Sequence, residues 1–381
     1  MVFHVKSLKN TLTALIAVVP FIAMANPVED SLQVNNQATA HTAEHHAAEN
    51  HEPADEKGKI KAFIDHHLQD AHDFTFFSDE ATGKHYGFPL PVILLDNGLK
   101  VFSSSKFHHG EEIAEADGNY YALYHGKIYK TDAQGTLSFD EHHHPTNAMP
   151  LDFSITKNVV AMLVTSILLF VFFIGLAKSY KKGPIPTGLG RVLEPLIIFI
   201  RDEVALPNIG EKKYRKFMGF LLTVFFFIWI LNLLGLTPLG FNVTGQIAVT
   251  ACLAIFTMII YLVSGNKDFW QHTLWMPGVP VILRPILAVI ELVGFVLIKP
   301  FSLLVRLFAN ITAGHFVVMS LVALMITLKV SFGPVVSTGM SLVLSLFIMV
   351  IEILVAFLQA FIFTMLSSLF IGMAVEEHDH H

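Results

Sequence analysis

The sequence has little cysteine and little charge, and each shortage excludes a class of protein. Cys252 is the only cysteine among 381 residues, so neither a disulfide framework nor a cysteine-based zinc site can form within the chain. Charged residues make up only 15% of the sequence and apolar residues 53%, a balance outside the range of ordinary soluble domains. The composition therefore predicts that most of the chain lies in a lipid bilayer.

A glycine-rich phosphate loop is also absent. No segment fits the pattern Gly-x-x-x-x-Gly-Lys-Ser/Thr, so we expect no nucleotide site on this chain. We likewise expect no cofactor, no resident metal ion and no nucleic-acid partner. Any reaction on a nucleotide would then take place on another polypeptide, and this chain would be non-catalytic.

The charge that is present is unevenly distributed along the chain. Residues 26–157 contain 21 acidic and 9 basic side chains, whereas residues 158–381 contain 10 acidic and 14 basic ones. An acidic, water-soluble region is therefore predicted at 26–157, before a weakly basic membrane domain at 158–381.

Residues 1–25 have the features of a targeting segment. Lys6 and Lys9 precede an apolar run, which ends in the small residues Ala23 and Ala25. This pattern is typical of a cleavable signal peptide. A short first transmembrane helix is the alternative, but about 14 apolar residues are too few to cross about 30 Å of hydrocarbon. Cleavage would leave the new N-terminus outside the cell membrane.

The exported region 26–157 has two predicted parts. Residues 26–60 contain almost no large apolar side chains, so they cannot bury enough surface to offset the entropy of ordering, and we predict disorder. From Phe88 onward, short β-type runs alternate with turn signals at 96–98 and 125–126. A small β-rich exported domain is therefore predicted.

Histidine is concentrated in this exported region, which holds fourteen of the twenty. Adjacent sets are His45-His46, His66-His67, His108-His109 and His142-His143-His144. Neutral imidazole binds zinc and copper, so these sets could form a metal site. A polar, solvated tether is the alternative, and the lack of a spacing that fixes four ligands favours it.

Three apolar runs long enough to span a bilayer follow at 159–177, 217–236 and 243–263. Nine Lys and Arg residues separate the first two runs, whereas the short loop between the second and third contains none. The positive-inside rule then predicts a periplasmic N-terminal region and a cytoplasmic C-terminus. Within the basic loop, apolar residues at helical spacing over 192–204 predict a helix along the membrane surface.

Two further apolar runs, 285–328 and 335–375, are too long to stand upright. As a helix the first would measure roughly 66 Å, more than twice the hydrocarbon thickness, so it must tilt or break, and Pro300 is the expected break. The turn signal at 331–334 predicts an antiparallel hairpin. The expected fold is thus an all-α membrane protein with about five embedded helices and a long tilted C-terminal hairpin, preceded by the β-rich region.

In such a hairpin, the residue numbers of two facing residues add up to nearly twice the residue number of the turn. This rule pairs Arg306 with Gln359, and His315 with Glu352. The polar groups of one helix would therefore meet those of the other.

Ionisable residues inside these runs suggest a function. Each costs about 2.5 to 3.5 kcal/mol at membrane depth, so a functional role is the default interpretation. Glu352, His315 and Glu291 can titrate near the working pH and are candidate proton relays. The guanidinium of Arg306 stays charged, so it can only block a proton or hold a carboxylate ionised. The structural alternative is that Arg306 merely neutralises Glu352 or Glu291.

The residues around Arg306 also resemble a known family. Segments 299–315, KPFSLLVRLFANITAGH, and 358–363, LQAFIF, are similar to the signature motifs of subunit a of F-type ATP synthases, and the resemblance covers about residues 158–377. It implies that Arg306 faces the carboxylate of rotor subunit c and prevents a proton short circuit. It also implies the subunit c ring, the subunit b stalk and the other ATP synthase subunits as partners, in a bacterial inner membrane.

The same resemblance implies roles for the remaining polar residues. Asn310 and Gln359 match polar groups near the arginine, and His315 and Glu352 match a pair in the outer half-channel. Glu291 matches an acidic residue of the inner half-channel, although it lies eight residues before Lys299 where the family pattern has seven.

Three alternatives remain open. A sodium-coupled version would use the same chain, because the coupling ion is decided largely by subunit c. A secondary transporter would use these charges to bind substrate, but the internal repeat that such proteins usually show is not evident. A membrane anchor for an exported metal-binding domain would use the spans only structurally, and would lose its function if residues 26–150 were removed.

Overall fold

The computed structural model describes residues 70–79, 84–110, 112–140, 144–183, 185–237, 241–275, 280, 282–332 and 334–376. The predicted signal peptide, the predicted disordered segment and the first two histidine sets lie outside these residues. Of the described chain, residues 155–315 and 346–376 form one compact unit, and residues 70–154 and 316–345 form a second.

Eight short strands form the β-rich part among the described residues. They are β1 (Asp73–Asp79), β2 (Lys84–Pro89), β3 (Pro91–Leu95), β4 (Leu99–Ser103), β5 (Ala114–Ala116), β6 (Asn119–Tyr124), β7 (Lys127–Thr131) and β8 (Leu151–Asp152). They form three small sheets, β1-β2, β4-β3-β8 and β5-β6-β7, in which all neighbours are antiparallel. Because side chains alternate across a strand, β3 turns Val92 and Leu94 inward. The core consists of Val92, Leu94, Phe102, Phe107, Ala114, Tyr121 and Ile128.

Both predicted turns are confirmed by the backbone. Asn97 and Gly98 have φ angles of 50° and 136°, and His125 and Gly126 have φ angles of 47° and 74°. Positive φ values are uncommon except at residues such as glycine and asparagine, which is why these dipeptides predict tight hairpins. The β3–β4 and β6–β7 hairpins therefore form where the sequence predicts them.

A buried ion pair joins the start of this unit to its last strand. The Nε2 atom of His72 lies 2.8 Å from the Oδ2 atom of Asp152, and only 4% of the His72 side chain is exposed. Burial alone would lower the pKa of His72, but the hydrogen bond and the charge of Asp152 outweigh burial and raise this pKa above 6.5. Burial would raise the pKa of Asp152, but the bond from His72 outweighs it, and this pKa falls below 3.8.

This pair predicts a pH window for the stability of the unit. The His72 contribution is complete below about pH 6.5 and is lost, by up to about 1.4 kcal/mol per pH unit, as the pH rises toward the raised pKa. The Asp152 contribution is lost as the pH falls below about 3.8. Hydrogen exchange of the β3 and β6 amides in the detergent-solubilised protein, corrected for intrinsic rates, should show less protection at pH 8 than at pH 6. His72→Gln should abolish that difference, and an equal difference in the variant would contradict the assignment.

From Lys157 onward the described chain is largely helical. Its α-helices are α1 (Lys157–Lys182), α2 (Gly190–Phe199), α3 (Leu206–Ile209), α4 (Tyr214–Gly235), α5 (Ile247–Ser264), α6 (Lys267–Leu274), α7 (Arg284–Val293), α8 (Lys299–Phe332) and α9 (Pro334–Val375). Five segments among the described residues are long and apolar enough to cross a bilayer: α1, α4, α5, Arg284–Gly314 and Leu342–Val375. The predicted all-α membrane architecture is confirmed.

The helix predicted over 192–204 forms, with one irregularity. Helix α2 continues through a π-helical turn at Ile200–Ala205 into α3. Of its predicted apolar stripe, Leu193, Ile197, Ile200 and Val204 are buried. Packing of this stripe against the other helices holds the segment in place.

The long hairpin forms as predicted, but the expected break at Pro300 is wrong. Helix α8 ends at Phe332 and α9 begins at Pro334, so the turn is very short. The chain stays helical through Pro300, and a π-helical turn at Gly294–Ile298 precedes it. Proline removes one donor and crowds the carbonyl group four residues earlier, and the wider π turn accommodates both effects without a break.

Candidate functional site

The polar residues of the hairpin meet around one glutamine. The Nε2 atom of Gln359 donates a hydrogen bond of 2.7 Å to the backbone oxygen of Arg306, and the Nδ2 atom of Asn310 donates one of 2.7 Å to Oε1 of Gln359. Gln359 is almost completely buried, at 2% exposure. The predicted pairing of Arg306 with Gln359 is therefore present, and it is made through the arginine backbone.

A further contact places Glu352, which lies in α9, beside helix α8. A Cβ atom added to Gly314 would lie 3.3 Å from Oε1 of Glu352, so this carboxylate packs directly against the glycine. His315 follows Gly314 in α8, and its side chain lies outside the described part of the chain. The register that pairs this turn of α8 with Glu352 agrees with the sequence prediction.

The Arg306 side chain points away from these partners. It is exposed, and no described residue forms an ion pair or a hydrogen bond with its guanidinium. Ser302, Ala309 and Ala313 lie on the same helix face at spacings of three or four residues and are also exposed. Small side chains let another helix approach closely. An unpaired charge thus lies on an open face that has room for a second helix.

The carboxylates lie on opposite sides of this arginine along the hairpin. Gly314, which Glu352 contacts, is about 12 Å from Arg306 along α8 at about 1.5 Å per residue. Glu291 lies fifteen residues before Arg306, or about 22 Å in the other direction, and is half-buried in α7. The structure therefore does not bring Glu291 together with Glu352, and Arg306 lies between them.

The π turn explains the additional residue between Glu291 and Lys299. A π turn takes up one residue more than an α-helical turn. With the π turn, a spacing of eight residues therefore places Glu291 and Lys299 at nearly the same relative angle around the helix axis as a spacing of seven residues in a regular helix. The departure from the family pattern is local to Gly294–Ile298.

Sequence reasoning missed two buried polar residues next to α9. The Nδ2 atom of Asn232 donates to the backbone oxygen of Ala356 at 3.3 Å, and the hydroxyl of Thr244 donates to Oδ1 of Asn232 at 2.8 Å. Ala356 lies one helical turn from Glu352. Asn232 could have been found as a strongly polar residue inside an otherwise apolar span.

The histidine-rich region gives no metal centre among the residues that the structure describes. No group of three or more His, Cys, Asp or Glu side chains there is arranged to hold an ion. His108 lies 3.5 Å from Glu112, and both side chains are largely exposed.

Comparison with known proteins assigns the membrane domain to a family. The family described as ATP synthase A chain matches residues 159–372, and one described as Domain of unknown function (DUF8433) matches residues 63–153. ATP synthase subunit a 2 of Prosthecochloris aestuarii is 41% identical over 314 residues, covering 76% of this chain and 92% of the relative.

Two other relatives show how far the similarity extends. ATP synthase subunit a of Chloroherpeton thalassium is 44% identical over 238 residues, covering 60% of this chain and 69% of the relative. ATP synthase subunit a of an Anaeromyxobacter species is 39% identical over 279 residues, covering 71% of this chain and 63% of the relative. The family match covers more than half of this chain, and it includes α8, α9 as far as residue 372 and every polar residue described around Arg306. The chain therefore belongs to the ATP synthase A chain family.

Proposed function

We propose that this chain is the proton-translocating stator subunit of an F-type ATP synthase and that Arg306 separates two half-channels. The observation that supports this most strongly is the Arg306 guanidinium, which is exposed at membrane depth and has no described partner within the chain. A charge in that place costs several kcal/mol unless a partner is supplied. A carboxylate on another subunit, the subunit c ring, would supply it.

Each half-channel would have its own relay group. Glu352, with His315 on the adjacent helix, would conduct protons on the periplasmic side, and Glu291 on the cytoplasmic side. Asn310 and Gln359 would fix the backbone that carries the arginine. Arg306 cannot release its proton, so it would block direct passage against a driving force of about 2.3 kcal/mol per charge per 100 mV.

The topology follows from the same proposal. Residues 1–25 would be removed as a signal peptide, residues 26–157 would be periplasmic, and residues 158–381 would form the proton channel in the bacterial inner membrane. The basic residues between α1 and α4 would face the cytoplasm, as would the C-terminus. The subunit b stalk and the remaining ATP synthase subunits would be the other partners, and nucleotide chemistry would take place on them.

Sodium coupling is the second candidate, because the chain itself does not fix the ion. Neutral relays would suffice for sodium, whereas a titratable relay is needed for protons. The carboxyl group of Glu352, which packs against Gly314, favours protons, because a carboxyl group can take up and release a proton.

Replacement of Glu352 by glutamine tests the relay. Glutamine has nearly the same size as glutamate but cannot take up and release a proton. We expect ATP-driven acidification of inverted vesicles, followed with a pH-sensitive dye, to fall by about tenfold or more, because positioned acid–base groups contribute about 10²- to 10⁴-fold.

Glu203→Gln is the matched control. Glu203 is exposed on the turn before α3, outside the membrane-spanning segments, so its removal should leave pumping unchanged. Equal amounts of assembled complex are checked by blotting. If Glu352→Gln pumps like Glu203→Gln, Glu352 is not a relay. If vesicles that carry the unmodified complex take up sodium on addition of ATP and do not acidify, the chain serves a sodium synthase.

A further inference from the structure

Tyr261 makes an unusual hydrogen bond across the helix bundle. This residue lies in α5, is completely buried, and its hydroxyl donates to the backbone oxygen of Phe295 in the π turn. Its ring also packs against those of Phe295 and Phe370, with centroids 6.2 and 5.9 Å apart. A side chain of one membrane helix is thus bonded to the main chain of another.

The acceptor is the carbonyl group that the π turn leaves without its usual donor. In a regular α-helix the Lys299 N–H would bond to the Phe295 oxygen, four residues earlier. Here it bonds to the oxygen of Gly294, five residues earlier. An unpaired buried carbonyl is costly in a bilayer, and the Tyr261 hydroxyl removes that cost.

The π turn decides which way Glu291 faces. Eight α-helical steps of about 100° would leave Glu291 about 80° away from Lys299 around the helix axis. The π turn absorbs one residue, so the two side chains come within about 20° of each other, as they would at a spacing of seven. Their charges interact electrostatically.

Lys299 itself is held by the same cluster. Its ammonium group is buried without a hydrogen-bond partner among the described residues, and lies 3.2 Å from the centre of the Phe295 ring and 5.3 Å from that of Phe370. A cation is attracted to the face of an aromatic ring, and this cation–π attraction is stronger where water is excluded. The rings that surround Tyr261 therefore also position Lys299.

We infer that Tyr261 is a positioning residue, whose hydroxyl stabilises the π turn at Gly294–Ile298 and thereby keeps Glu291 on the face of Lys299. The consequence for transport rests on the proposed function of Glu291 as a cytoplasmic relay. Without the hydroxyl, the segment gains an ordinary hydrogen bond by returning to an α-helix. Glu291 would then rotate by about 100° away from the face it now occupies.

The test compares Tyr261→Phe with the same variant that also lacks one residue of the π turn, Val296. Both are studied as assembled complexes, by cryo-electron microscopy and by ATP-driven acidification of inverted vesicles. We expect Tyr261→Phe to lose the π turn and to pump about tenfold more slowly. Deletion of Val296 shortens the spacing to seven residues, so a regular helix should return Glu291 to its face and restore pumping to within about twofold.

Deletion of Leu287 in the Tyr261→Phe background is the matched control. It also removes one residue, but leaves the spacing between Glu291 and Lys299 unchanged, so it should not restore pumping. Retention of the π turn in Tyr261→Phe would overturn the inference, and so would equal rescue by both deletions. Loss of the π turn with undiminished pumping would support the role of Tyr261, and would instead contradict the proposed relay role of Glu291.

Discussion

Inverted vesicles that carry the assembled Arg306→Ala complex are expected to show no ATP-driven acidification above background. The rotor carboxylate would lose the only charge in the described chain that is placed to hold it ionised on this open face. Each carboxylate would then keep its proton as it passes, so rotation would carry protons around without releasing them. Alanine matches the neighbouring Ala309 and Ala313, so we expect the helix and its packing to survive.

Arg191→Ala is the matched control for this experiment. Arg191 is exposed at the start of α2, outside the membrane-spanning segments, and its loss should leave pumping close to the native rate. Blotting of the purified complex shows whether both variants assemble. Pumping at the native rate by assembled Arg306→Ala would reduce Arg306 to a structural counter-ion.

The hairpin could be predicted from the sequence because its geometry depends on few residues. A turn of almost no length forces the two helices to run side by side, so the position of the turn fixes which residues face each other. The contacts of Gln359 with Arg306 and of Glu352 with Gly314 follow this rule. The spans could be predicted for a similar reason, since apolar length alone identifies them.

The π turn at Gly294–Ile298 could not be predicted, because it depends on a partner far away in the sequence. Pro300 gives a local signal for a break, yet the chain stays helical through the π turn. Tyr261, on another helix, supplies the hydrogen-bond donor that this turn takes away from the Phe295 carbonyl group. No local pattern links two residues that are 34 positions apart. The buried His72–Asp152 pair is a similar case, because the two residues are separated by most of the β-rich unit.

The surroundings of Arg306 were also only partly predictable from the sequence. The sequence identified the charge and its membrane depth, but left open an ion pair with Glu352 or Glu291. Glu352 instead packs against Gly314, and the guanidinium has no described partner. Among the described residues the charge therefore has no partner, as the proposed rotor-facing role requires.

Gly372→Ala is expected to lower the fraction of the chain that assembles into a stable complex. The last turns of α9 are bonded to residues near the ends of other helices. Asn208 Nδ2 donates to Ser368 Oγ at 2.9 Å, and Lys213 Nζ and Asn266 Nδ2 donate to the backbone oxygen of Val375 at 2.7 and 2.8 Å. A Cβ atom at position 372 would overlap the carbonyl oxygen of Asn208 and lie 2.9 Å from its carbonyl carbon. The main chain of Asn208 cannot rotate away as a side chain can, so α9 would have to move.

Gly339→Ala provides the matched control, because it makes the same change in the same helix where nothing lies within 4 Å of the added Cβ. Overpacking costs about 1 to 3 kcal/mol or more, so Gly372→Ala should lower the assembled fraction by about tenfold. Gly339→Ala should leave it unchanged or raise it, since alanine favours helix. The assembled fraction is measured by native gel electrophoresis of solubilised membranes. Equal assembly of the two variants would show that α9 does not need its close approach to Asn208, and that its hydrogen bonds to Asn208, Lys213 and Asn266 tolerate displacement of the helix.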